Sequence, residues 1–262
     1  MNSIDKLAYI SELRKTNPME KFIFSMVTMI VCISLNNILD SVVILLLMSG
    51  ITVFKGKIPV KAYSQLILIP LSFLIIGVLT IAVNTVLTDK GLLFSFNIFN
   101  IKLGGTSGSV LLAARIFFKS LACVSCLYFL TLSTPIFEVL SVLRRLKVPK
   151  LFVELMGLIY RFIFVLLETA NMILISQSSR LGYSTLKTGY SSLGKLVVAL
   201  FISAYKRSQD IYIAMESRCY DGEINLLEDN YNFSYKNLSL IAFVEITLII
   251  LSFSNIFLGG KV

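Results

Sequence analysis

The chain contains no histidine. That removes the commonest transition-metal ligand and the commonest general base. Charge is also scarce: acidic and basic residues make up 15% of the 262 positions, against about 25% in soluble domains. There are four cysteines, Cys32, Cys123, Cys126 and Cys219, and three lie in apolar runs. No disulfide framework is indicated. Cys123 and Cys126 form a Cys-x-x-Cys with no second pair, inside a predicted spanning helix, and read as small packing residues. A cleavable leader is not expected, because the first 21 residues are polar and mildly basic and no small-residue cleavage site follows the first apolar run. A phosphate loop is missing too. Gly189-Tyr190-Ser191-Ser192-Leu193-Gly194-Lys195 nearly matches one, but Leu196 stands where Ser or Thr would hold magnesium. No strand pattern precedes Gly189, so the chain is not expected to hydrolyse ATP itself.

What is present is apolar: 56% of the residues are hydrophobic, which reads as an integral membrane protein. The net charge of +9 follows from the excess of Lys and Arg that membrane proteins keep on their cytoplasmic side, so no nucleic acid is expected as a partner. The expected fold is all-α and polytopic, with about five transmembrane helices in a lipid bilayer and a cytoplasmic helical insert. Asn17 caps and Pro18 opens the first apolar helix, which continues over Phe22–Leu35. Asn36-Asn37 breaks it, and Asp40 is placed to cap a second helix over Ser41–Phe54. A third span is predicted over Gln65–Leu87, with Pro70 giving a local kink. Thr88–Gly108 reads as a glycine-rich loop, Ser109–Leu130 as a fourth span and Leu238–Leu258 as the last. Residues 1–130 are thus a membrane domain with four spans, 131–237 a set of cytoplasmic helices, and 238–262 the last transmembrane helix.

Charge asymmetry orients this arrangement. The N-terminal arm carries Lys6, Arg14, Lys15 and Lys21, and a basic loop carries Lys55, Lys57 and Lys61. Both belong in the cytoplasm, at the cell membrane's inner face. The Asn36–Asp40 turn and the Thr88–Gly108 loop are poor in basic residues and face outward. The insert, with Arg144, Arg145, Lys147, Lys150, Arg161, Arg180, Lys187, Lys195, Lys206, Arg207, Arg218 and Lys236, agrees with a cytoplasmic place.

Within the insert, Thr134 and Pro135 start a helix with Glu138 in its first turn and Arg144, Arg145 and Lys147 at its end. Val148-Pro149 stops it. Lys150–Ser178 is a second helix, in which Glu154, Arg161 and Glu168 recur every seven residues and so form one narrow polar stripe. Each such charge at mid-bilayer would cost roughly 2.5–3.5 kcal/mol. The helix is read as lying at or just below the membrane surface, buried against other protein; a spanning arrangement remains the alternative. A third helix runs from Ser191 to Ser217. Two helices therefore end in a Ser-Arg pair, at Ser179-Arg180 and Ser217-Arg218. Inside the spans, Arg115 and Lys119 lie four apart on one helix face, and Glu245 lies in the last span. Intramembrane charges are paired or functional, and Lys119 or Arg115 is the expected partner of Glu245.

Layout and motifs together resemble the transmembrane T component of energy-coupling factor transporters, most of all the cobalt-type CbiQ family. The resemblance rests on Asp5-x-x-Ala8-Tyr9, Ser11 to Arg14, Asn17-Pro18-x-x-Lys21, Leu132-Ser133-Thr134-Pro135, Tyr160-Arg161-Phe162 through Glu168, and Ser179-Arg180-Leu181-Gly182-Tyr183. Its most specific part is Ala214-Met215-x-Ser217-Arg218-Cys219-Tyr220-Asp221-Gly222-Glu223. The family carries two short Ala-Arg-Gly-like motifs that dock into two ATP-hydrolysing subunits. Here they read Ser179-Arg180-Leu181 and Ser217-Arg218-Cys219, keeping the arginine and losing the glycine that often follows. The resemblance implies a noncatalytic subunit without cofactor or bound metal. Its implied partners are two ATP-binding cassette ATPases and a metal-binding, CbiM-like membrane subunit that supplies the ligands of a cobalt substrate. The alternatives are a T component for nickel or a vitamin, and, from another class, an intramembrane enzyme, which would need clustered acids or a nucleophile with a base.

Overall fold

The computed structural model describes residues 3–35, 37–82, 84–85, 92–98, 101–221, 239 and 241–250. It is helical, as a chain that must satisfy its backbone polar groups inside a bilayer has to be. The helices are α1 (Ser3–Ile10), α2 (Pro18–Ser34), α3 (Ile38–Gly50), α4 (Val60–Ala82), α5 (Ser107–Ser133), α6 (Ile136–Arg145), α7 (Lys150–Ser179) and α8 (Leu186–Glu216), followed by α9 (Ile241–Ile250). Three stretches among the described residues are long and apolar enough to cross a membrane: Ile38–Lys55, Val60–Ile81 and Gly108–Ser133. The 30-residue α7 is not one of them.

Several boundaries follow from local chemistry. Asn17 accepts a hydrogen bond from the Met19 amide at 3.0 Å, and Pro18 opens α2 as expected. Asn37, not Asp40, is the residue before α3; Asp40 lies in its first turn. After α3 the chain widens into a single π-helical turn, Ile51–Lys55, closed by the Gly56 amide on the Ile51 carbonyl at 3.0 Å. Gly56 is required there, because a Cβ would come within 2.3 Å of the Thr52 carbonyl oxygen.

The predicted loop over Thr88–Gly108 is corrected by a small antiparallel sheet. Its strands are β1 (Asn84–Thr85), β2 (Leu92–Ile98) and β3 (Ile101–Thr106), in the order β1-β3-β2. Asn84 pairs with Gly104, and Phe96 with Leu103. Phe94, Phe96 and Ile98 alternate with Ser95 and Asn97, a period-2 pattern that outweighs the loop signal of the nearby glycines. The third span correspondingly ends at Ala82 rather than Leu87.

The chain divides into two compact units. One comprises the chain up to Val139 together with α9, and α5 is its centre. Phe24 and Cys32 from α2, Ile44 and Met48 from α3, Ala122, Cys126 and Phe129 from α5, and Leu248 from α9 form its core. The small side chains of Ala122 and Cys126, both fully buried, let neighbouring helices approach closely. Polar groups here find partners on other helices. Ser25 donates to the Cys126 carbonyl at 2.8 Å. Pro70 has no amide to offer the Leu66 carbonyl four residues back, and Tyr128 of α5 donates to that carbonyl instead, at 3.0 Å.

The other unit begins at Leu140 and contains the end of α6 with α7 and α8. The last two run antiparallel, touching at Gln177–Ser192 near one end and at Glu154–Tyr220 near the other. Thr185 and Thr188 form a reciprocal capping box that starts α8 at Leu186, five residues before the expected Ser191. The phosphate-loop-like stretch therefore lies inside a helix. Little apolar surface is enclosed: Phe152, Ile159, Ile175, Val197, Phe201 and Ile213 are all exposed, more apolar surface than a self-sufficient soluble unit leaves open.

Candidate functional site: two matched helix ends

The two Ser-Arg pairs close their helices with the same backbone. At the end of α7, the Leu181 amide bonds the Ser178 carbonyl at 3.0 Å, and the Gly182 amide reaches back to the Gln177 carbonyl at 2.8 Å. At the end of α8, the Cys219 amide bonds the Glu216 carbonyl at 3.0 Å, and the Tyr220 amide reaches the Met215 carbonyl at 3.0 Å. This is the Schellman arrangement, which needs a left-handed residue just past the helix. That residue is Leu181 (φ 57°) in one case and Cys219 (φ 59°) in the other. Both occupy the place of the motif glycine. Side chains other than glycine pay about 1–2 kcal/mol there, so the left-handed turn is kept at both ends without the residue that adopts it freely. The serines match as well: Ser179 donates to the Ile175 carbonyl at 2.9 Å, and Ser217 to the Ile213 carbonyl at 2.8 Å.

In consequence Arg180 and Arg218 project from equivalent points, both exposed, each beside the negative end of its helix. Leu181, 74% exposed, and exposed Cys219 lie next to them. Each end thus presents a guanidinium fork beside a protruding apolar or soft side chain, on a turn held by backbone hydrogen bonds and a serine side-chain hydrogen bond.

The supports behind the two ends differ. Gln177 donates to the Ser192 carbonyl at 3.0 Å and accepts from the Tyr183 hydroxyl at 2.7 Å, while Ser192 donates to the Gly182 carbonyl at 2.8 Å. A Cβ on Gly182 would lie 2.8 Å from both the Gln177 carbonyl oxygen and Ser192 Oγ. Among the described residues, the second end is tied by the Tyr220 hydroxyl to Glu154 Oε2 at 3.3 Å. Desolvation and the Glu154 carboxylate raise the Tyr220 pKa above its ordinary value, keeping the phenol a donor. Glu154 is buried, whereas Arg161 and Glu168 of the same stripe are exposed. Gln177, Ser192, Glu154 and Tyr220 were not singled out as supports by sequence reading. Gly182, one place beyond the lost motif glycine, is of a residue type that favours a tight turn and could have pointed to the first of these supports. Along α8, Ser192 and Ser217 are roughly 40 Å apart at 1.5 Å per residue, which sets the spacing of the two arginine ends.

The charges inside the spans are placed differently from expectation. Arg115 is exposed and Lys119 half-buried on α5. Glu245 is buried, and it meets Thr28 of α2 rather than Lys119 or Arg115: the Thr28 hydroxyl bonds Glu245 Oε1, while Oε2 is buried without a hydrogen bond. Helix packing turns Glu245 toward α2, and depth along the chain does not report rotation about a helix axis.

The sequence profile of the CbiQ family, described as cobalt transport protein, matches residues 11–227. The cobalt transport protein CbiQ of Salmonella typhimurium is 29% identical over 226 residues, covering 86% of this chain and 100% of its own. A putative fused cobalt transport protein CbiMQ of Methanocorpusculum labreanum is 34% identical over 232 residues, 86% of this chain and 38% of its own. The energy-coupling factor transporter transmembrane protein EcfT of Ruminiclostridium cellulolyticum is 31% identical over 221 residues, 81% of this chain and 80% of its own.

Proposed function

The chain belongs to the CbiQ cobalt transport protein family, and from that premise we propose that it is the noncatalytic membrane subunit through which two ATPases drive a cobalt importer. That it is a T component of an energy-coupling factor transporter, and a membrane protein, follows from its relatives. The observation that carries the finer reading is the pair of matched arginine ends. One hairpin offers the same fork twice, roughly 40 Å apart along α8, which suits two copies of one kind of partner. A guanidinium supplies five donors in a rigid plane, suited to a carboxylate or to carbonyl oxygens lining a groove. The exposed apolar faces of α7 and α8 supply the surface those partners and the transport partner cover. The relative named as a putative fused cobalt transport protein CbiMQ, matched over 38% of its length, supports a CbiM-like membrane partner for this one. Cobalt is then substrate, held by that partner, since this chain has no histidine to offer.

The test is co-purification of the full complex. Arg180→Glu with Arg218→Glu should release the ATPases while the CbiM-like subunit stays bound through the untouched spans, and uptake should stop. Retained ATPases with normal uptake would reduce both arginines to solvated helix ends. The proposed orientation places the arm and α6–α8 in the cytoplasm. A cysteine at position 187 should escape an impermeant thiol reagent on intact cells, and one at position 104 should react; the reverse pattern turns the protein over.

A further inference from the structure

The sequence motifs Asn17-Pro18-x-x-Lys21 and Leu132-Ser133-Thr134-Pro135 lie far apart in the chain, and the fold brings them to one atom. Lys21 is 4% exposed. Its Nζ donates to the Leu13 carbonyl at 3.1 Å and to the Ser133 carbonyl at 3.0 Å, and lies 3.5 Å from Glu138 Oε2. Arg14 approaches the other oxygen of the same carboxylate, with Nε 3.7 Å from Oε1. Ser133 is the last residue of α5 and Glu138 is in the first turn of α6. Between them Pro135 breaks the helix, and its missing amide interrupts the backbone bonding that would have held one helix in line with the next.

The ammonium takes over that task. It caps the carbonyl end of α5, where a cation is favoured, and holds a carboxylate at the start of α6, where an anion is favoured. Two points on two helices are fixed to one buried charge, and two points fixed in this way set the angle of the elbow. The Leu13 carbonyl adds the N-terminal arm to the same pin, and Ser11 fastens that arm to the Gly56 carbonyl at 3.2 Å. Burying a lysine is an expensive way to gain stability alone, since apolar packing of similar volume does as well. What it supplies is a fixed geometry.

We propose that Lys21 is a positioning residue that keeps the α5–α6 elbow rigid, so that displacement of the coupling helices passes into the membrane helices and is not absorbed at Pro135. This rests on the function proposed above, in that the displacement comes from docked ATPases. Lys21→Met leaves both carbonyls and Glu138 without the ammonium. Glu138→Gln keeps the carbonyl bonds and removes the carboxylate's charge from Lys21 and Arg14 alike, so it is the milder change at the ammonium if the methionine variant folds poorly.

Two measurements decide it. In the isolated chain, spin labels at Leu111 on α5 and Phe137 on α6, both exposed, report the elbow by electron–electron distance. The distribution should be narrow with Lys21, broader with Glu138→Gln and broadest with Lys21→Met. In the full complex, the ATPases should remain bound and hydrolyse ATP, while Co2+ taken up per ATP falls by about threefold to thirtyfold. A general loss of fold lowers uptake and hydrolysis together and leaves their ratio alone. Unchanged distance widths, or an unchanged ratio, overturn the proposal. If the wild-type chain holds no ATPases, the proposed function fails, and the distances in the isolated chain still decide whether Lys21 is the pin.

Discussion

The end of α7 and the end of α8 share one backbone turn and rest on unlike supports. Among the described residues, the first is braced by side-chain bonds linking Gln177, Tyr183, Ser192 and the Gly182 carbonyl, and the second by a bond from Tyr220 to Glu154. The turn recurs with different buttresses, and with leucine in one and cysteine in the other at the left-handed position. What both present is an arginine at the same point relative to the helix axis.

The comparison is broken most forcefully by changing the arginines one at a time. If the ends are equivalent, Arg180→Glu and Arg218→Glu should weaken ATPase binding alike, each by about 2–5 kcal/mol, with the double change removing it. A silent single variant in a binding titration means that the ends are alike in form only.

Next in size is Gly182→Ala. Its methyl meets a backbone oxygen at 2.8 Å, so a destabilisation of about 1–3 kcal/mol is expected. The equivalent position at the other end is a tyrosine and tolerates its Cβ. Amide exchange should rise at residues 180–182 and stay unchanged at 218–220; equal loosening of both would deny the separate supports.

Tyr220→Phe removes the Tyr220–Glu154 tie of the second end and should cost about 0.5–1.5 kcal/mol, read as faster exchange of the 219 and 220 amides with the first end unaffected. No change there would mean that the 3.3 Å contact with Glu154 does not hold the turn.

The smallest effect sharpens the likeness. Leu181→Gly and Cys219→Gly remove the left-handed strain, offset by the added freedom of glycine when unfolded, for a gain of about 0.5–1 kcal/mol each. Thermal unfolding should shift upward by similar amounts in both. A loss of stability in either would show that the side chain at that position is held by packing that outweighs the strain.

Much of the helix layout was legible. Long apolar runs, Asn17-Pro18 and Val148-Pro149 act through solvation and proline sterics, which operate within a few residues of where they are written. The arginine ends were legible as helix termini, but not as the same turn. Leucine and cysteine carry no signal for positive φ, and Met215 and Gln177 have no common side-chain chemistry. The sheet at Leu92–Thr106 was hidden by its glycines, although the alternation of Phe94, Phe96 and Ile98 was present.

Composition and local pattern by themselves determined that this is a helical membrane protein, where most of its helices stop, and which two arginines end them. Those outcomes depend on transfer free energy and on backbone sterics, both of which are properties of short stretches. Only the tertiary structure decided which partner each stranded polar group meets. Tyr128 answers the Leu66 carbonyl across 62 positions, Lys21 the Ser133 carbonyl across 112, and Thr28 the Glu245 carboxyl across 217. A low-dielectric interior makes an unpaired polar group costly and so favours an answer to each. It does not say by which residue, and that choice falls to the packing of the helices around α5.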